Sequence, residues 1–307
     1  MLTRKRKGLF VGLCTLDYVY YADEFPRENK KIKVNEYARY IGGPAANAAI
    51  TYAALGGDAT LATCIGSSLE SKMILEELRS YGVKVLNYSS QYTLPNTASI
   101  LISKNGQRTI ISGQHTFLCD KRYPLDEFDF ALFDCNQQEI SLDILKQFPK
   151  KPVILDAGSW KPNIELFLQR ADIVIASEDF ADVDGRTIFE LKDCNAIHKV
   201  ITRGERSILY ENEEIEVPQV DAVDTLGAGD IFHGAFCFAY FEHRKNDAYS
   251  PTVPNVPCGG EDCLFCEQQT FKEALQFAAN IASESVRYKG PREWMKHYIL
   301  NAERFFL

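Results

Sequence analysis

The sequence predicts an α/β fold: a doubly wound, mostly parallel sheet flanked by helices, together with a small second β-sheet. Over most of the 307 residues, short apolar runs alternate with longer segments of helical period. This alternation is typical of parallel strands joined by crossover helices. Two regions interrupt it with extended segments that no helix follows. We therefore expect a single domain over residues 1–307 that carries a separate small sheet.

The strands of the main sheet are predicted from apolar runs of strand length. They are Gly8–Cys14, Ala59–Ile65, Phe130–Cys135, Val153–Ala157, Ile173–Ala176 and Lys199–Thr202. The helices are predicted from segments whose apolar residues recur with helical period. They are Pro44–Leu55, Leu69–Tyr81, Ser141–Phe148, Asn163–Arg170, Ala228–Glu242 and Phe271–Tyr288. A hairpin-like segment, Ile208–Val217, follows the last of these strands.

The small sheet is predicted at about residues 18–40 and 98–112, where apolar and polar residues partly alternate. Asn105-Gly106 in the second part is a strong hairpin signal. Arg108 ends this turn, so its side chain could reach a substrate or phosphate oxygen, or be solvated. The expected strands of this sheet are Val19–Phe25, Lys31–Tyr40, Ala98–Ser103 and Gln107–Ser112.

The composition, with 46% hydrophobic and 25% charged residues, is that of a globular protein. A net charge of −8 argues against nucleic acid as the main partner. No apolar run reaches the length that spans a membrane. The apolar stretch after the basic residues 1–7 is too short and too broken for a signal peptide. We expect a cytoplasmic enzyme that acts on small molecules.

The nine cysteines fall into two groups. Six lie in or beside apolar runs and are expected to be reduced core residues. Cys258, Cys263 and Cys266 cluster in a segment rich in Pro, Gly, Asn and Asp, which is predicted to be an insertion at about residues 244–269. Their spacing is compatible with zinc, but the fourth ligand is missing from the local sequence. Free thiols or a disulfide within this loop are the favoured alternatives.

The segment Asp224-Thr225-Leu226-Gly227-Ala228-Gly229-Asp230 carries the strongest chemical signal, because it leads directly into an apolar helix. Gly227 and Gly229 allow backbone conformations in which successive N–H groups point at one spot. With Ala228 they open a helix N-terminus, which binds anions and phosphate above all. Asp230 would be repelled by such an anion unless it takes a proton from the hydroxyl that attacks the phosphoryl group. The segment therefore predicts a kinase.

A second glycine-rich segment precedes the first predicted helix. Gly42 and Gly43 are followed by Pro44, which suits the first helical position, and by small residues that leave room for a ligand. Asn47, one turn into this helix, could bind a sugar hydroxyl or be a packed structural amide. Asp17 follows the first predicted strand, at the edge of the sheet where open α/β folds bind ligands.

Together these segments resemble the PfkB (ribokinase-like) family of carbohydrate kinases, from Gly8 to about Gly290. The resemblance implies a ribokinase-like fold in which the small sheet is a lid over the sugar and often the contact of a homodimer. It implies ATP-dependent phosphorylation of a sugar hydroxyl, with Asp230 as the base and Asp17, Gly43 and Asn47 holding the sugar.

The segment from Gly12 to Asp17 and the Gly-Gly-Pro-Ala-Ala run look most like the ketohexokinase and sulfofructose kinase branch. A ketose such as fructose is therefore the favoured substrate. The neutral amides of Asp134–Gln138 disfavour sulfofructose, because a sulfonate calls for a basic residue there. Ribose, a sugar acid or a nucleoside are the alternatives. A further alternative is an inactive regulator that binds a sugar or nucleotide.

The resemblance also assigns the nucleotide side. Thr202 and Gly204 would meet the ATP phosphates, and Asn280 would line the adenine pocket. No Walker A sequence is present, so the chain is not a P-loop kinase.

Two acidic residues are candidates for contacts with cations. Asp224 matches a carboxylate that helps to form a monovalent-cation (K⁺) site, although a structural cap is compatible with it. The family's Asn-x-x-Glu motif is replaced by Ser177-Glu178-Asp179-Phe180, and Glu178 is the substitute candidate for orienting magnesium waters. Mg²⁺ is expected as the partner of ATP.

Overall fold

The computed structural model describes residues 4–34, 36–104, 107–113, 115–242 and 264–301. The strands are β1 (Lys7–Val11), β2 (Thr15–Ala22), β3 (Glu36–Gly42), β4 (Asp58–Thr63), β5 (Lys84–Asn87), β6 (Asn96–Ser103), β7 (Arg108–Gly113), β8 (Phe130–Phe133), β9 (Val153–Ala157), β10 (Ile173–Ser177), β11 (His198–Arg203), β12 (Arg206–Tyr210) and β13 (Glu213–Ile215). The helices are α1 (Pro44–Leu55), α2 (Leu69–Ser80), α3 (Gln138–Gln147), α4 (Ile164–Arg170), α5 (Ala228–Glu242), α6 (Leu264–Ser285) and α7 (Trp294–Asn301).

The main sheet has nine strands in the order β13-β12-β11-β10-β9-β8-β1-β4-β5. The pairs from β11 to β5 are parallel, and β12 and β13 extend one edge as an antiparallel hairpin. From β1 the chain adds β4 and β5 on one side and then crosses to β8 on the other. The strand order thus reverses between β1 and β8, where open α/β sheets bind their ligands. The predicted doubly wound, mostly parallel sheet is confirmed.

Helices cover both faces of this sheet, so its inner strands β4, β1, β8, β9 and β10 are almost entirely buried. Helices α1, α5 and α6 contribute to the apolar core on one face, and α3 and α4 to the core on the other. The side chains of α1 that face this core are mainly small, namely Ala45, Ala46, Ala48 and Ala49. They let α1 pack closely against α5, which brings the N-termini of the two helices into one crevice.

The small sheet has the strand order β3-β2-β6-β7, with β2 parallel to β6 and the other pairs antiparallel. Its inner face buries a separate apolar cluster of Val19, Ala98, Ile100 and Ile102. This second sheet was predicted, but the bounds of its strands differ, most of all for β2 and β3. β2 starts at Thr15, so Asp17 lies within the small sheet and not in a loop after the first strand. β3 is shifted toward the C-terminus, so that Gly42 ends a strand.

Two elements were not predicted, the edge strand β5 and the last helix α7. β5 has only four residues and no buried run, and α7 is a short helix after Gly290-Pro291. Helices α3 and α6 begin earlier than expected, at Gln138 and Leu264. The first turn of α3 is mainly polar, so the apolar period does not mark where it starts, and the first residues of α6 fall in the segment that was predicted to be an insertion.

Residues 244–263 of the predicted cysteine insertion lie outside the described residues. The side chains of Cys258, Cys263 and Cys266 are likewise not described. The zinc hypothesis therefore stays a prediction. In the described part of the chain, none of the helices combines the length and the apolar character that a membrane crossing requires.

Candidate active site

The buried carboxylate of Asp134 holds the reversal point of the sheet together. It accepts hydrogen bonds from the backbone N–H groups of Leu13 at 2.8 Å, Ala45 at 3.0 Å and Asn136 at 2.8 Å. These groups belong to the turn after β1, the first turn of α1 and the turn after β8. Burial raises the pKa of Asp134, and the hydrogen bonds from Asn136 and Leu13 act in the opposite direction. The N-terminus of α1 is thereby fixed at the crevice.

A row of hydrogen bonds beside the N-terminus of α1 links Asp230, Asn47 and Arg292. Asn47 Nδ2 donates to Asp230 Oδ2 at 2.6 Å, and Arg292 Nη2 donates to Asn47 Oδ1 at 2.6 Å. Arg292 Nη2 also donates to the carbonyl oxygen of Ile41 at 2.8 Å. Because a guanidinium group can only donate, the amide oxygen of Asn47 faces Arg292 and its nitrogen faces Asp230. These hydrogen bonds therefore fix Oδ2 of Asp230 and leave its Oδ1 for a substrate.

Asp230 lies in the first turn of α5, where its side chain is partly exposed but its carboxyl group is closely surrounded by protein. Burial, followed by the nearby carboxylate of Asp156, raises the pKa of Asp230 to about 7. The hydrogen bond from Asn47 and the proximity of His233 partly offset this increase. His233 is itself held by Gly229, with 2.7 Å between Nδ1 and the carbonyl oxygen. A carboxyl group that exchanges its proton near neutral pH suits general base catalysis.

The loop before α5 has the backbone geometry of an anion site. Gly227 has a φ of 76°, which a residue with a Cβ rarely adopts. The N–H of Ala228 donates to the carbonyl oxygen of Thr225 at 3.3 Å. The N–H of Leu226, in the same loop, donates to Asp224 Oδ1 at 2.9 Å and is therefore not offered to an anion. Within the described ranges, the N–H groups of Gly227 and Gly229 are left for a bound anion.

Asp17 lies on β2 against the end of β3. Its Oδ1 accepts a hydrogen bond from Thr15 Oγ1 at 2.6 Å, and a Cβ at Gly42 would overlap its Oδ2. Burial raises the pKa of Asp17, whereas the Thr15 hydrogen bond and the charge of Arg292 lower it. Arg292 interacts electrostatically with both Asp17 and Asp230. The predicted sugar ligands and the predicted base thus lie around one buried cation.

The small sheet contacts the loop before α5 at two points. Arg108 Nη1 lies 3.3 Å from the carbonyl oxygen and 3.4 Å from Oγ1 of Thr225, and donates to both. Tyr21 donates its hydroxyl to Asp224 Oδ2 at 3.3 Å, and the N–H of Gly290 donates to the same oxygen at 2.9 Å. Asp224 is therefore a structural cap that joins three segments. Its role at a monovalent cation stays a prediction.

The residues assigned to ATP lie farther along the main sheet. Thr202 is the penultimate residue of β11, where its Oγ1 donates to the carbonyl oxygen of Ala176 at 3.2 Å, and Gly204 forms the turn to β12. Glu178 forms an ion pair with Arg206, so a contact with magnesium waters would compete with this pair. Asn280 on α6 accepts a hydrogen bond from Gln276 at 3.2 Å. Thr202 and Glu178 adjoin at the carboxyl ends of β10 and β11, as the N–H of Glu178 donates to the Thr202 carbonyl.

A cleft of about 170 Å³ opens at the carboxyl ends of β1, β4 and β8. Leu13, which lines it, also packs its carbonyl group against Gly43, so the cleft starts next to the glycine pair. Its polar lining includes Asn96, His115 and Asn136. The cleft is therefore a candidate position for the part of a substrate that lies away from Asp230.

Three site residues were missed by the sequence prediction. Arg292 precedes the unpredicted helix α7, and an isolated Arg near a Gly-Pro pair carries no motif. His233 lies inside the predicted helix Ala228–Glu242, where an apolar helical period gives no sign of a functional side chain. Asp156 could have been found, because it lies near the carboxyl end of the buried strand β9, by the argument that singled out Asp17.

Comparison with known proteins agrees with the family resemblance that the sequence motifs indicate. The family profile described as pfkB family carbohydrate kinase matches residues 5–297. The ribokinase of Bacillus subtilis is 24% identical over 78% of this chain and 87% of that protein. The nucleoside kinase of Methanocaldococcus jannaschii is 24% identical over 75% of this chain and 82% of that protein.

Solved structures share the fold. A putative ribokinase from Agrobacterium tumefaciens superposes with a TM-score of 0.74 over 97% of this chain and 100% of its own, at 22% identity. The Arabidopsis thaliana ribokinase, complexed with ribose and ATP, gives 0.66 over 95% and 98% at 21% identity. These likenesses confirm the ribokinase-like fold. The four proteins are ribokinases and a nucleoside kinase, and they do not support the ketohexokinase and sulfofructose kinase branch. With the profile spanning nearly the whole chain, this protein belongs to the pfkB family of carbohydrate kinases.

Proposed function

We propose that this protein transfers the γ-phosphoryl group of ATP to a primary hydroxyl group of ribose. The observation that carries the proposal is Asp230, a carboxyl group with a pKa of about 7 that Asn47 holds at the N-terminus of α5. It lies beside Gly227 and Gly229, whose N–H groups can receive a phosphoryl oxygen. Ribose replaces fructose as the favoured substrate because the matched relatives include ribokinases.

In the proposed reaction, Asp17 accepts hydrogen bonds from sugar hydroxyls and so orients the sugar. Asp230 Oδ1 accepts the proton of the attacking hydroxyl as the sugar oxygen bonds to the γ-phosphorus and the bond from that phosphorus to ADP breaks. The N–H groups of Gly227 and Gly229, with the α5 dipole, stabilise the charge on the phosphoryl oxygens. Arg108 from the small sheet reaches Thr225 in the same loop and helps to exclude water from it.

Magnesium would enter this site with ATP. In the described part of the chain, no three side chains of His, Cys, Asp or Glu are grouped so that they could hold a metal ion. The phosphates of ATP and water would therefore supply most of the ligands, as is common for Mg²⁺. The ion neutralises charge on the transferring phosphoryl group when it is bound.

A nucleoside is the second candidate substrate, and the cleft beside Leu13 favours it. A nucleoside presents the same ribose hydroxyls to Asp17 and Asp230 and adds a base that needs space. The uncharged amides of Asn96 and Asn136 in the cleft lining can hydrogen-bond an uncharged base. An inactive regulator, by contrast, has no use for a carboxyl group whose pKa lies near 7 beside an anion site.

We also propose that a second copy of this chain packs on the outer face of the small sheet. Three large residues are exposed on this face: Tyr18 at 38%, Tyr37 at 74% and Ile111 at 70%. The strand register places Tyr18, Ser99 and Ile111 in one row across the sheet. Such an apolar surface on a sheet with two open edges is typical of an interface.

The Asp230→Asn variant tests the proposed base. It should fold and bind ATP but lose turnover by a factor of about 100 or more, because the amide cannot accept the proton. Turnover is measured by ADP release with ribose, deoxyribose, fructose and a set of nucleosides. Asp221→Asn, an exposed residue of the preceding loop, is the matched control and should keep full activity. Near-normal turnover of the Asp230 variant would refute the mechanism, and wild-type activity on fructose alone would refute the ribose assignment.

The same variant should change how stability depends on pH. The raised pKa of Asp230 means that the native state keeps a proton that the unfolded chain has already lost. The native protein therefore loses stability as pH rises from about 3.8 to about 7. Asp230→Asn removes this penalty, so its gain over the wild type should grow across that range and level off above it. The gain could reach about 4 kcal/mol. Denaturant unfolding at several pH values measures it, and a pH-independent difference would contradict the raised pKa.

Arg292 is predicted to be a positioning residue that acts through Asn47. Arg292→Met removes the donor that orients the amide, so kcat/KM should fall by a factor of about 10 to 100. The loss of a nearby positive charge should also move the acidic limb of the pH–rate profile to higher pH. Arg292→Lys keeps a donor and should recover part of the activity. Arg287→Met, at an exposed position after α6, is the control. An unshifted pH profile in a folded Arg292→Met protein would exclude this role.

The dimer proposal predicts that Ile111→Lys yields a monomer. A buried lysine in the interface would be left without a counter-charge. Light scattering after size-exclusion chromatography gives the molar mass of each species. Val183→Lys replaces an apolar residue that is 92% exposed elsewhere on the surface and should leave the mass unchanged. A wild-type protein that elutes as a monomer at high concentration would rule the interface out.

A further inference from the structure

Two cysteine side chains meet at the wall of the cleft next to the proposed sugar site. The Sγ atoms of Cys64 and Cys119 lie 3.4 Å apart, and both residues line the cleft. They are separated by 55 positions in the sequence, so the contact is made by the tertiary fold. We propose that Cys64 and Cys119 form a reversible disulfide that switches the shape of the substrate cleft.

The backbone on both sides of the pair is already held in place. Cys64 follows β4, and its N–H donates to Gln137 Oε1 at 2.7 Å while its carbonyl oxygen accepts from Gln137 Nε2 at 2.8 Å. On the other side, the N–H of Asp120 donates to the carbonyl oxygen of Tyr88 at 3.0 Å. The N–H of Tyr88 in turn donates to the carbonyl oxygen of Thr63, the residue before Cys64, at 2.9 Å. The two cysteines are thus tied to each other through a short network of backbone hydrogen bonds.

Closing the bond requires little movement. A disulfide has an S–S distance of about 2.05 Å, so the sulfur atoms must approach by a little over 1 Å from their present separation. Cys64 is 1% exposed and fixed by the sheet, whereas Cys119 lies in the long connection between β7 and β8 and is partly exposed. The side chain of Cys119 is therefore the one that moves.

The surroundings also give the two thiols different roles. Burial raises the pKa of both thiols; for Cys119 the hydrogen bond with Cys64 and the charge of Arg122 lower the pKa, while the charges of Glu139 and Asp143 raise it further. Cys119 is the more accessible thiol and is the one that meets an oxidant first. The sulfur of Cys119 attacks one oxygen of hydrogen peroxide and becomes a sulfenic acid. The other peroxide oxygen leaves as water, which takes up the thiol proton. The thiol of Cys64 then attacks this sulfur and expels a second water molecule as the S–S bond forms.

The net change is the oxidation of two thiols to one disulfide and the reduction of one hydrogen peroxide to two waters. A dithiol reductant reverses it. In the oxidised form the connection that carries His115 and Phe117 is linked covalently to the end of β4. Both residues line the same cleft. The disulfide therefore narrows the cleft and limits its adaptation to a substrate. This effect on catalysis rests on the proposed function, whereas formation of the bond does not.

Peptide mapping tests the bond itself. The wild-type protein is treated with hydrogen peroxide, alkylated, digested without reductant and analysed by mass spectrometry. We expect a peptide pair linked through Cys64 and Cys119 that disappears after treatment with dithiothreitol. The Cys119→Ser and Cys64→Ala variants should not give it, and Cys194→Ala, at another buried cysteine, should give it unchanged. If both thiols remain free to react with the alkylating agent after oxidation, or if either links to a different cysteine, the proposal fails.

Stability and kinetics then test the switch. Oxidation should raise the Tm of the wild type and of Cys194→Ala by several degrees, because the disulfide restricts the unfolded chain. It should not raise the Tm of Cys119→Ser. The KM for the accepted sugar or nucleoside should change several-fold on oxidation in the wild type and return with dithiothreitol, while Cys119→Ser shows no change. A linked pair with unaltered KM would show a structural disulfide and overturn the switch. If no substrate is found, the proposed function fails, but the mapping result still decides the bond.

Discussion

The hydrogen bond from Asn47 to Asp230 is the contact on which the site depends, because it joins the N-termini of α1 and α5 at 2.6 Å. Two helix ends that both favour anions are brought together only if their side chains allow close packing. The buried alanines of α1 provide this, and Gly234 of α5 lies directly against the backbone of Ala48. The small residues of the sequence motifs are therefore needed for the geometry of the base as much as for ligand space.

This arrangement concentrates negative charge. Asp17, Asp134 and Asp230 all have raised pKa values, with burial as the first cause for each. Arg292 is buried near Asp17 and Asp230, and its Nε is without a hydrogen-bond partner among the described residues. A buried cation with an unpaired donor is costly. It is tolerated here because the remaining donors of Arg292 fix Asn47 and because its charge faces two carboxylates. This energetic cost falls next to Asp230, the residue whose proposed chemistry needs an unusual pKa.

The sequence allowed the main sheet, most helices and the anion loop to be predicted, because each of these is encoded locally. Apolar runs marked the buried strands, and Gly227 and Asp230 lie within one short motif. The Asn47–Asp230 contact spans 183 positions and the Arg292–Asn47 contact 245, so no local pattern could indicate them. The predicted location of Asp17, after the first strand and outside the small sheet, was wrong for a related reason. The apolar run at Gly8 continues almost to β2, and only pairing with β3 and β6 shows where the first strand ends and the small sheet begins.

In the proposed mechanism, the choice of substrate is separated from the chemistry of transfer. The groups proposed for catalysis lie on the ends of α1 and α5 and are held by buried hydrogen bonds. The cleft beside Leu13 is instead lined by turns and by the connection that carries His115 and Cys119. A connection of this kind can change in sequence, or be tied by one covalent bond, without moving Asp230. Under this proposal, substitutions in the cleft lining would change which substrate is accepted, since the residues around Asp230 would serve any primary hydroxyl placed before them.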